Sequence, residues 1–302
     1  MVPALLTVLL FACSGIAGER AARYWGGQLA NLLRLFLATC ILATGTLILF
    51  PSSLRWETFG WLFLSGIVGF GLGDIALFLA YVRIGARLTI LLNLCTAPIW
   101  SSITEWVWLG TRLSTQEMAA IAVILTGVIL AILSRPVLAS QEQRRINWIG
   151  VLCGIGAGMG QGIGAVISRN AFELADKGGF VLNGFSAAAQ RVCGGFLTVL
   201  LVFLVFCVLG RNHIRPVAFE KMRPAFAWLV ATTVCGPVLG VSCFQWSLIQ
   251  LPAGIANAVV AMTPIAMIPL AMVIDRERPR ALSIAGACVA VAGVILLLQL
   301  KS

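Results

Sequence analysis

The chain has 302 residues, 60% of them apolar, with 21 basic and 11 acidic side chains and one histidine. A soluble domain carries about 25% charged residues; here the share is 11%, and the mean hydropathy is +1.00. That composition excludes a soluble globular protein and a disordered chain. The net charge of +10 comes from arginines scattered singly over loops, a pattern that sets membrane orientation and touches anionic headgroups rather than nucleic acid.

A helix needs about 20 apolar residues to cross ~30 Å of hydrocarbon. Apolar runs bounded by charges, prolines and glycines predict ten spans: 2–18, 29–50, 58–81, 86–109, 115–134, 148–168, 184–209, 225–248, 252–274 and 281–299. The expected fold class is therefore an all-α integral membrane protein with ten transmembrane helices. Val2 to Ala17 has no basic residue before Arg20, so it reads as a retained first helix rather than a signal peptide. The longest breaks are Arg135–Asn147, Arg169–Leu182 and Gly210–Pro224. The first divides the chain into a half at 1–134, a linker at 135–147 and a half at 148–302.

The halves resemble each other. Phe59, Trp61, Leu62, Gly69, Leu72 and Gly73 recur as Phe226, Trp228, Leu229, Gly236, Leu239 and Gly240, all at an offset of 167. Further on, Pro98 matches Pro264 and Gly127 matches Gly293 at an offset of 166, and Arg34 matches Arg191 within the second span of each half. Five spans per half is an odd number, so the second half is inverted relative to the first, a transporter signature.

Pro98, Gly110-Thr111 and Gly127-Val128 in the first half, with Pro264, Arg276-Glu277, Gly286 and Gly293-Val294 in the second, carry a family resemblance. The sequence resembles an EamA-type member of the drug/metabolite transporter superfamily. The resemblance implies ten helices in two inverted five-helix repeats and transport of a small-molecule metabolite, with export favoured over uptake. It also implies a multi-pass protein of the bacterial inner (cell) membrane. Partners are the metabolite and the lipid bilayer; a homodimer is left open. Thr111 stands where the family commonly has glutamate.

Ionisable side chains within lipid are site candidates by default: Arg34, Asp74, Glu105 and Arg191. A guanidinium can fork onto an anion, or it can pair with a carboxylate and fix the bundle. Asp74 and Glu105 face Val241 and Ala271 in the repeat, an asymmetry suited to an ammonium site or to coupling protons, which desolvation of a carboxylate would favour. Arg34, Glu105 and Arg191 are expected to point inward, toward each other or a polar cavity. Pro98 and Pro264 read as helix hinges that free carbonyls near Asn93 and Asn257. Gln161, Gln190 and Gln245 are expected at the same cavity. The rows Gly154, Gly158, Gly162 and Gly156, Gly160, Gly164 read as close helix contacts.

Nine cysteines lie in apolar runs without a CxxC pair, and His213 sits alone in a loop. No metal, disulfide or cofactor is expected. Gly71-Leu72-Gly73-Asp74 matches the GxGD sequence of intramembrane aspartyl proteases, but no partner motif accompanies it. The chain has no Walker loop, zincin helix or GxSxG elbow. The reading is a secondary transporter without ATP hydrolysis and not an enzyme. The alternatives are an intramembrane enzyme with Asp74 or Glu105 as acid/base, and a passive scaffold.

Charge bias and family resemblance disagree on orientation. Fourteen basic residues follow odd-numbered spans and five lie on the opposite side, so the positive-inside rule places both termini outside, whereas relatives mostly keep both in the cytoplasm. Following the charge, alkaline phosphatase fused after Ser302 is expected to be active; a fluorescent protein maturing there instead would reverse the assignment.

Overall fold

The computed structural model describes residues 1–133, 147–209, 219–274 and 281–301. Every regular element among them is helical, as lipid requires of a chain that must satisfy its own backbone. The helices are α1 (Val2–Trp25), α2 (Gly27–Leu49), α3 (Trp56–Gly66), α4 (Gly73–Leu109), α5 (Thr115–Leu133) and α6 (Trp148–Lys177), then α7 (Gly184–Val208), α8 (Phe219–Thr233), α9 (Leu239–Gln250), α10 (Ala253–Val260), α11 (Thr263–Ile274) and α12 (Ala281–Lys301). Among the described residues, nine stretches are long and apolar enough to cross a membrane; the distal arm of α4 supplies a further helix.

Local chemistry sets the helix ends. At α5 the Ser114 amide donates to Glu117 Oε2 (2.8 Å) and the Glu117 amide to Ser114 Oγ (3.2 Å), a reciprocal capping box. Asn183 Oδ1 accepts from the Ser186 amide at 2.8 Å and opens α7.

Two predicted breaks lie further along than expected. The first helix continues past residue 18 to Trp25, helped by an Arg23–Glu19 pair at 2.7 Å. Only Gly26, at φ 78°, separates it from α2, a left-handed position that glycine adopts without a Cβ clash. The sixth helix continues through the expected loop to Lys177, with Arg169 and Glu173 3.5 Å apart on one face. Glycines 178 and 179 then end it, the latter at φ 67°. The expected gap at 82–85 is helical in its backbone, since Gly85 is its sole weak helix former.

Two π-helical segments, Ile67–Leu72 and Val234–Val238, join α3 to α4 and α8 to α9. They begin 167 residues apart, the offset of the sequence repeat. Each half therefore carries a π segment at the same place, around its Gly69 or Gly236.

The chain forms two compact units, each drawing on both halves. One comprises Leu72–Val166 and Leu251–Ser302; the other comprises Val2–Gly71 and Ile167–Gln250. In the first unit α5 and α12 meet at backbone distance. A Cβ at Gly127 would stand 2.6 Å from the Gly286 carbonyl oxygen and would also strike Ala290. A Cβ at Gly293, its repeat counterpart, would stand 2.9 Å from the Ile124 amide and 3.1 Å from the Ala120 oxygen. Ala290 and Gly286 are themselves the counterparts of Ile124 and Ala120. Each contact is returned by its equivalent, which is the mark of a local twofold. Contacts run from Ala120 with Gly293 to Ala131 with Gly286, so the two helices are antiparallel and the axis crosses them. This is inversion seen directly at one helix pair.

Also in this unit, Gly154, Gly158 and Gly162 of α6 lie against Leu92, Thr96 and Ala97 of α4. That row is a packing seam; in the second row, Gly156 only approaches Ala76, at 3.9 Å. The α6 contacts change direction along α4. They fall from Gly156 to Gly150 as α4 runs from Ala76 to Ile84, then rise from Gly154 to Gly162 as it runs from Leu92 to Ser101. The order of these contacts thus reverses between Ile84 and Leu92, within a backbone that is helical throughout Gly73–Leu109.

In the second unit α2 and α7 are also antiparallel. Phe36 lies 5.8 Å from Phe196, and at the other end Phe50 lies 6.2 Å from Phe185. Leu35, Ala38, Leu42, Ala188 and Val192 fill the core between them. Gly66 of α3 rests on the Arg191 carbonyl and Gly194 of α7 on that of Phe63.

The α5–α12 crossing yields a direct test. Gly127→Val is expected to destabilise the protein by about 2 kcal/mol or more through overpacking against backbone, read as a lower melting temperature in detergent. Gly60→Val, where nothing lies within 4 Å, is the control and should cost little, since valine is a better helix former than glycine.

Candidate functional site

Each unit encloses a buried polar constellation that involves residues singled out in the sequence. In the first, the arm of α4 carries Asn93, Pro98, Ser101 and Glu105, all brought inside by its packing on α6 and α10. Asn93 Nδ2 donates to Gln161 Oε1, Gln161 Nε2 to Asn257 Oδ1, and Asn257 Nδ2 to Ser101 Oγ, each at 3.3 Å. Ser101 Oγ then donates to the Ala97 carbonyl at 2.8 Å. Three of the residues singled out in the sequence thus form one chain across α4, α6 and α10. Ser101, which closes it, was missed; a serine three residues after a proline carries no distinctive sequence signal.

Glu105 is 1% exposed. Its Oε2 accepts the Ala253 amide at 2.8 Å, at the start of α10, where backbone N–H groups are unsatisfied and the helix dipole favours negative charge. The carboxylate therefore caps a helix contributed by the other half of the sequence. Glu105 belongs to the first unit, and Arg34 and Arg191 belong to the second.

The two prolines are placed differently in their spans. Pro98 lies inside α4, and its own carbonyl accepts from Ser102 Oγ at 2.7 Å. Pro264 does not kink a continuous helix. The chain leaves α10 at Ala261–Met262 and restarts at Thr263, so Pro264 occupies the first turn of α11, where a missing N–H costs nothing. Nor is the carbonyl four residues before it free for a ligand: Val260 O accepts from Thr263 Oγ1 at 2.6 Å.

In the second unit Arg191 is 4% exposed. Its guanidinium lies over Phe70 and Phe244, 5.3 and 5.7 Å from their centroids, and reaches Gln245 Oε1 and Ser168 Oγ at 3.5 Å each. Gln245 Nε2 donates to Ser168 Oγ at 3.1 Å, and Ser168 meets Ser65 at 2.8 Å. Arg34 donates to Asn31 Oδ1 at 2.7 Å and approaches Gly236. Each repeat arginine therefore sits against the π segment of the opposite half, Arg191 at Phe70 and Arg34 at Gly236. The sequence differs at these places: the positions matching Phe70 and Phe244, over which Arg191 lies, are Pro237 and Leu77. Phe70, Phe244 and Ser168 were not anticipated, because apolar and small residues of a membrane helix look alike whether they face lipid or a guanidinium. Gln190 donates to the Ser53 carbonyl at 3.5 Å, away from Gln245.

Asp74 is half-buried in the first turn of α4. Gly71 of its GxGD sequence is explained by packing, since a Cβ there would stand 2.5 Å from the Thr198 methyl. His213 and the basic residues Arg135, Arg144, Arg145, Arg211, Arg215, Arg276, Arg278 and Arg280 lie outside the described residues. No group of three or more His, Cys, Asp or Glu able to hold a metal occurs among the described residues.

Inverted helix pairs around buried polar side chains define a membrane transporter of the ten-helix, two-repeat type. The model of the EamA-like transporter family matches residues 1–133 and 148–299, and the chain belongs to that family. A solved structure titled only as the crystal structure of a protein superposes with a TM-score of 0.76 at 15% identity, covering 99% of this chain and 96% of its own. That likeness concerns the fold. No match is found among curated proteins.

Removing the Glu105 cap should be costly. Glu105→Ala leaves the Ala253 amide unsatisfied and is expected to lower stability by about 1–3 kcal/mol, measured as loss of thermal stability in detergent. Glu105→Gln keeps an oxygen for the amide and should retain most of it.

Proposed function

We propose that this member of the EamA-like family exports a small organic metabolite by alternating access of two inverted halves, 1–134 and 148–302, without ATP hydrolysis. The reciprocal, antiparallel contact of α5 and α12 is the observation that supports it most. Two nearly equivalent halves can adopt each other's conformation, and this opens a midplane site first to one side and then to the other. The π segments at matching places support the same reading, because such segments recur where helices bend in function. A polar chain within α4, α6 and α10 supplies hydrogen-bonding groups of the kind an organic solute needs at the centre of a bilayer.

Coupling to protons is part of the proposal, with Glu105 as carrier. On protonation its oxygen would accept the Ala253 amide less strongly, which would loosen the start of α10. Proteoliposomes are the test, with a panel of amino acids, nucleosides and sugars as substrates. The expected result is flux of one class, accelerated by a pH gradient. In Glu105→Gln the same substrate should bind within a few-fold of the parent affinity while the pH-driven acceleration disappears. Unchanged pH dependence would leave Glu105 as a helix cap only, and absence of flux for every class would remove the transporter assignment itself.

A further inference from the structure

The connection between α2 and α3 is clamped at one residue. Ser53 ends the short 3₁₀ turn Pro51–Ser53 and is 3% exposed. Its hydroxyl donates to the Val181 carbonyl at 2.9 Å and accepts from Asn183 Nδ2 at 3.4 Å. Its carbonyl accepts from Gln190 Nε2 at 3.5 Å. The last two bonds are at the outer edge of hydrogen-bond range and are weak. Beside the clamp, Arg55 lies over the Phe180 ring, 5.6 Å from its centroid, and Trp56 is exposed. A cation and an indole at the end of a span belong to the interfacial zone. Residues 50–58 thus run as a strap from the end of α2 across the start of α7.

Beneath the strap, hydrogen bonding is incomplete. Asn183, Ser186 and Gln190 share one face of α7, at i, i+3 and i+7. Ser53 bonds the first and the third, so it brackets Ser186 between them. On α2, Thr46 continues the stripe of Leu35, Ala38 and Leu42 that packs against α7. A Cβ on the adjacent Gly45 would stand 2.9 Å from the Phe185 ring, which sets Thr46 and Ser186 level across the crossing. Thr46 Oγ1, Ser186 Oγ and Gln190 Oε1 are all buried, with no hydrogen-bond partner among the described residues. Elsewhere in this unit Thr39, Thr198, Thr233 and Ser242 give their hydroxyls to the carbonyl four residues back. Thr46 does not. The three groups are neutral, and the two hydroxyls have both a donor and acceptors to satisfy. Water meets that need, and an ion of either sign does not. Burying such groups unbonded costs free energy that hydration returns.

We propose that the strap 50–58 is a lid on the second unit, poised between this closed form and an open form in which water reaches Thr46, Ser186 and Gln190. The bonds around Ser53 hold it shut, and the three unbonded groups beneath favour opening. Opening requires only that the strap leave Val181, Asn183 and Gln190. The apolar core of Leu35, Leu42, Ala188 and Val192 remains packed, so the event is local. It lies within one unit and stands apart from the transporter reading.

Hydrogen–deuterium exchange of the full chain in nanodiscs tests the lid, read at the amides of residues 53–59 with the melting temperature in parallel. Thr46→Val removes the hydroxyl at nearly constant helix propensity. In this variant strap exchange is expected to slow about fivefold or more, because one fewer unbonded group favours the open form. The melting temperature should be unchanged or higher. Ser53→Ala is expected to speed strap exchange by a similar factor. Thr39→Val removes a hydroxyl already bonded to Leu35 O and should leave strap exchange as it was. Faster exchange or a lower melting temperature in Thr46→Val would show this hydroxyl bonded in the closed form, as by a trapped water, and would overturn the proposal. Strap exchange unmoved by Thr46→Val or by Ser53→Ala would do the same. Slower exchange cannot come from misfolding, so a poorly folded variant cannot mimic the supporting result.

Discussion

Everything in this structure depends on how closely two helix backbones can approach in a solvent that offers no hydrogen bonds. Lipid gives helices little hydrophobic reason to associate, so van der Waals contact over small residues must do it. At the α5–α12 crossing Gly127, Gly286 and Gly293 remove the side chains that would hold the axes apart, and Ser283 adds a bond to the Ala131 carbonyl at 3.3 Å. The crossing is reciprocal because the sequence is repeated. One duplicated glycine therefore serves as packing surface on both sides of a local twofold. The same rule places Gly66 and Gly194 between α3 and α7, and Gly158 and Gly162 between α6 and α4.

Close backbones then determine where polar groups can be tolerated. Once α6 lies against α4, the side chains of Gln161 and Asn93 fall within reach, and Asn257 of α10 extends the bond series to Ser101. An isolated amide in hydrocarbon would be heavily penalised; linked in series, each satisfies its neighbour. The Arg191 enclosure solves the parallel problem for a full charge, with two aromatic faces and two neutral oxygens around the guanidinium. In both units the polar residue is held by an element from the other half of the sequence, so neither half could fold into this arrangement alone.

Much of the architecture was legible from residues. Hydropathy marks the spans because composition is what lipid selects, and the repeat was visible because bends and crossings need glycine at fixed places. Helix ends were less legible. Arg23 and Glu19, or Arg169 and Glu173, look like loop residues by charge, yet at i,i+4 spacing they support another turn of helix in the interfacial zone. The two prolines show the limit more sharply. Pro98 and Pro264 match in sequence, but one lies within a helix and the other begins one, because Thr263 can take up the Val260 carbonyl whereas the first half has Ala97 at that place.

That difference between halves bears on how a duplicated protein acquires specificity. Symmetry suits the crossings, where both copies do the same mechanical work. It is broken at Asp74 against Val241, Glu105 against Ala271 and Phe70 against Pro237. A strictly symmetric site would present the same groups to each membrane face and bind a solute equally in two opposed poses. Polar groups confined to one copy would, in the proposed transport cycle, fix a single pose. The matched glycines therefore mark the close packing that the two halves share, and the unmatched polar residues mark where the halves have diverged.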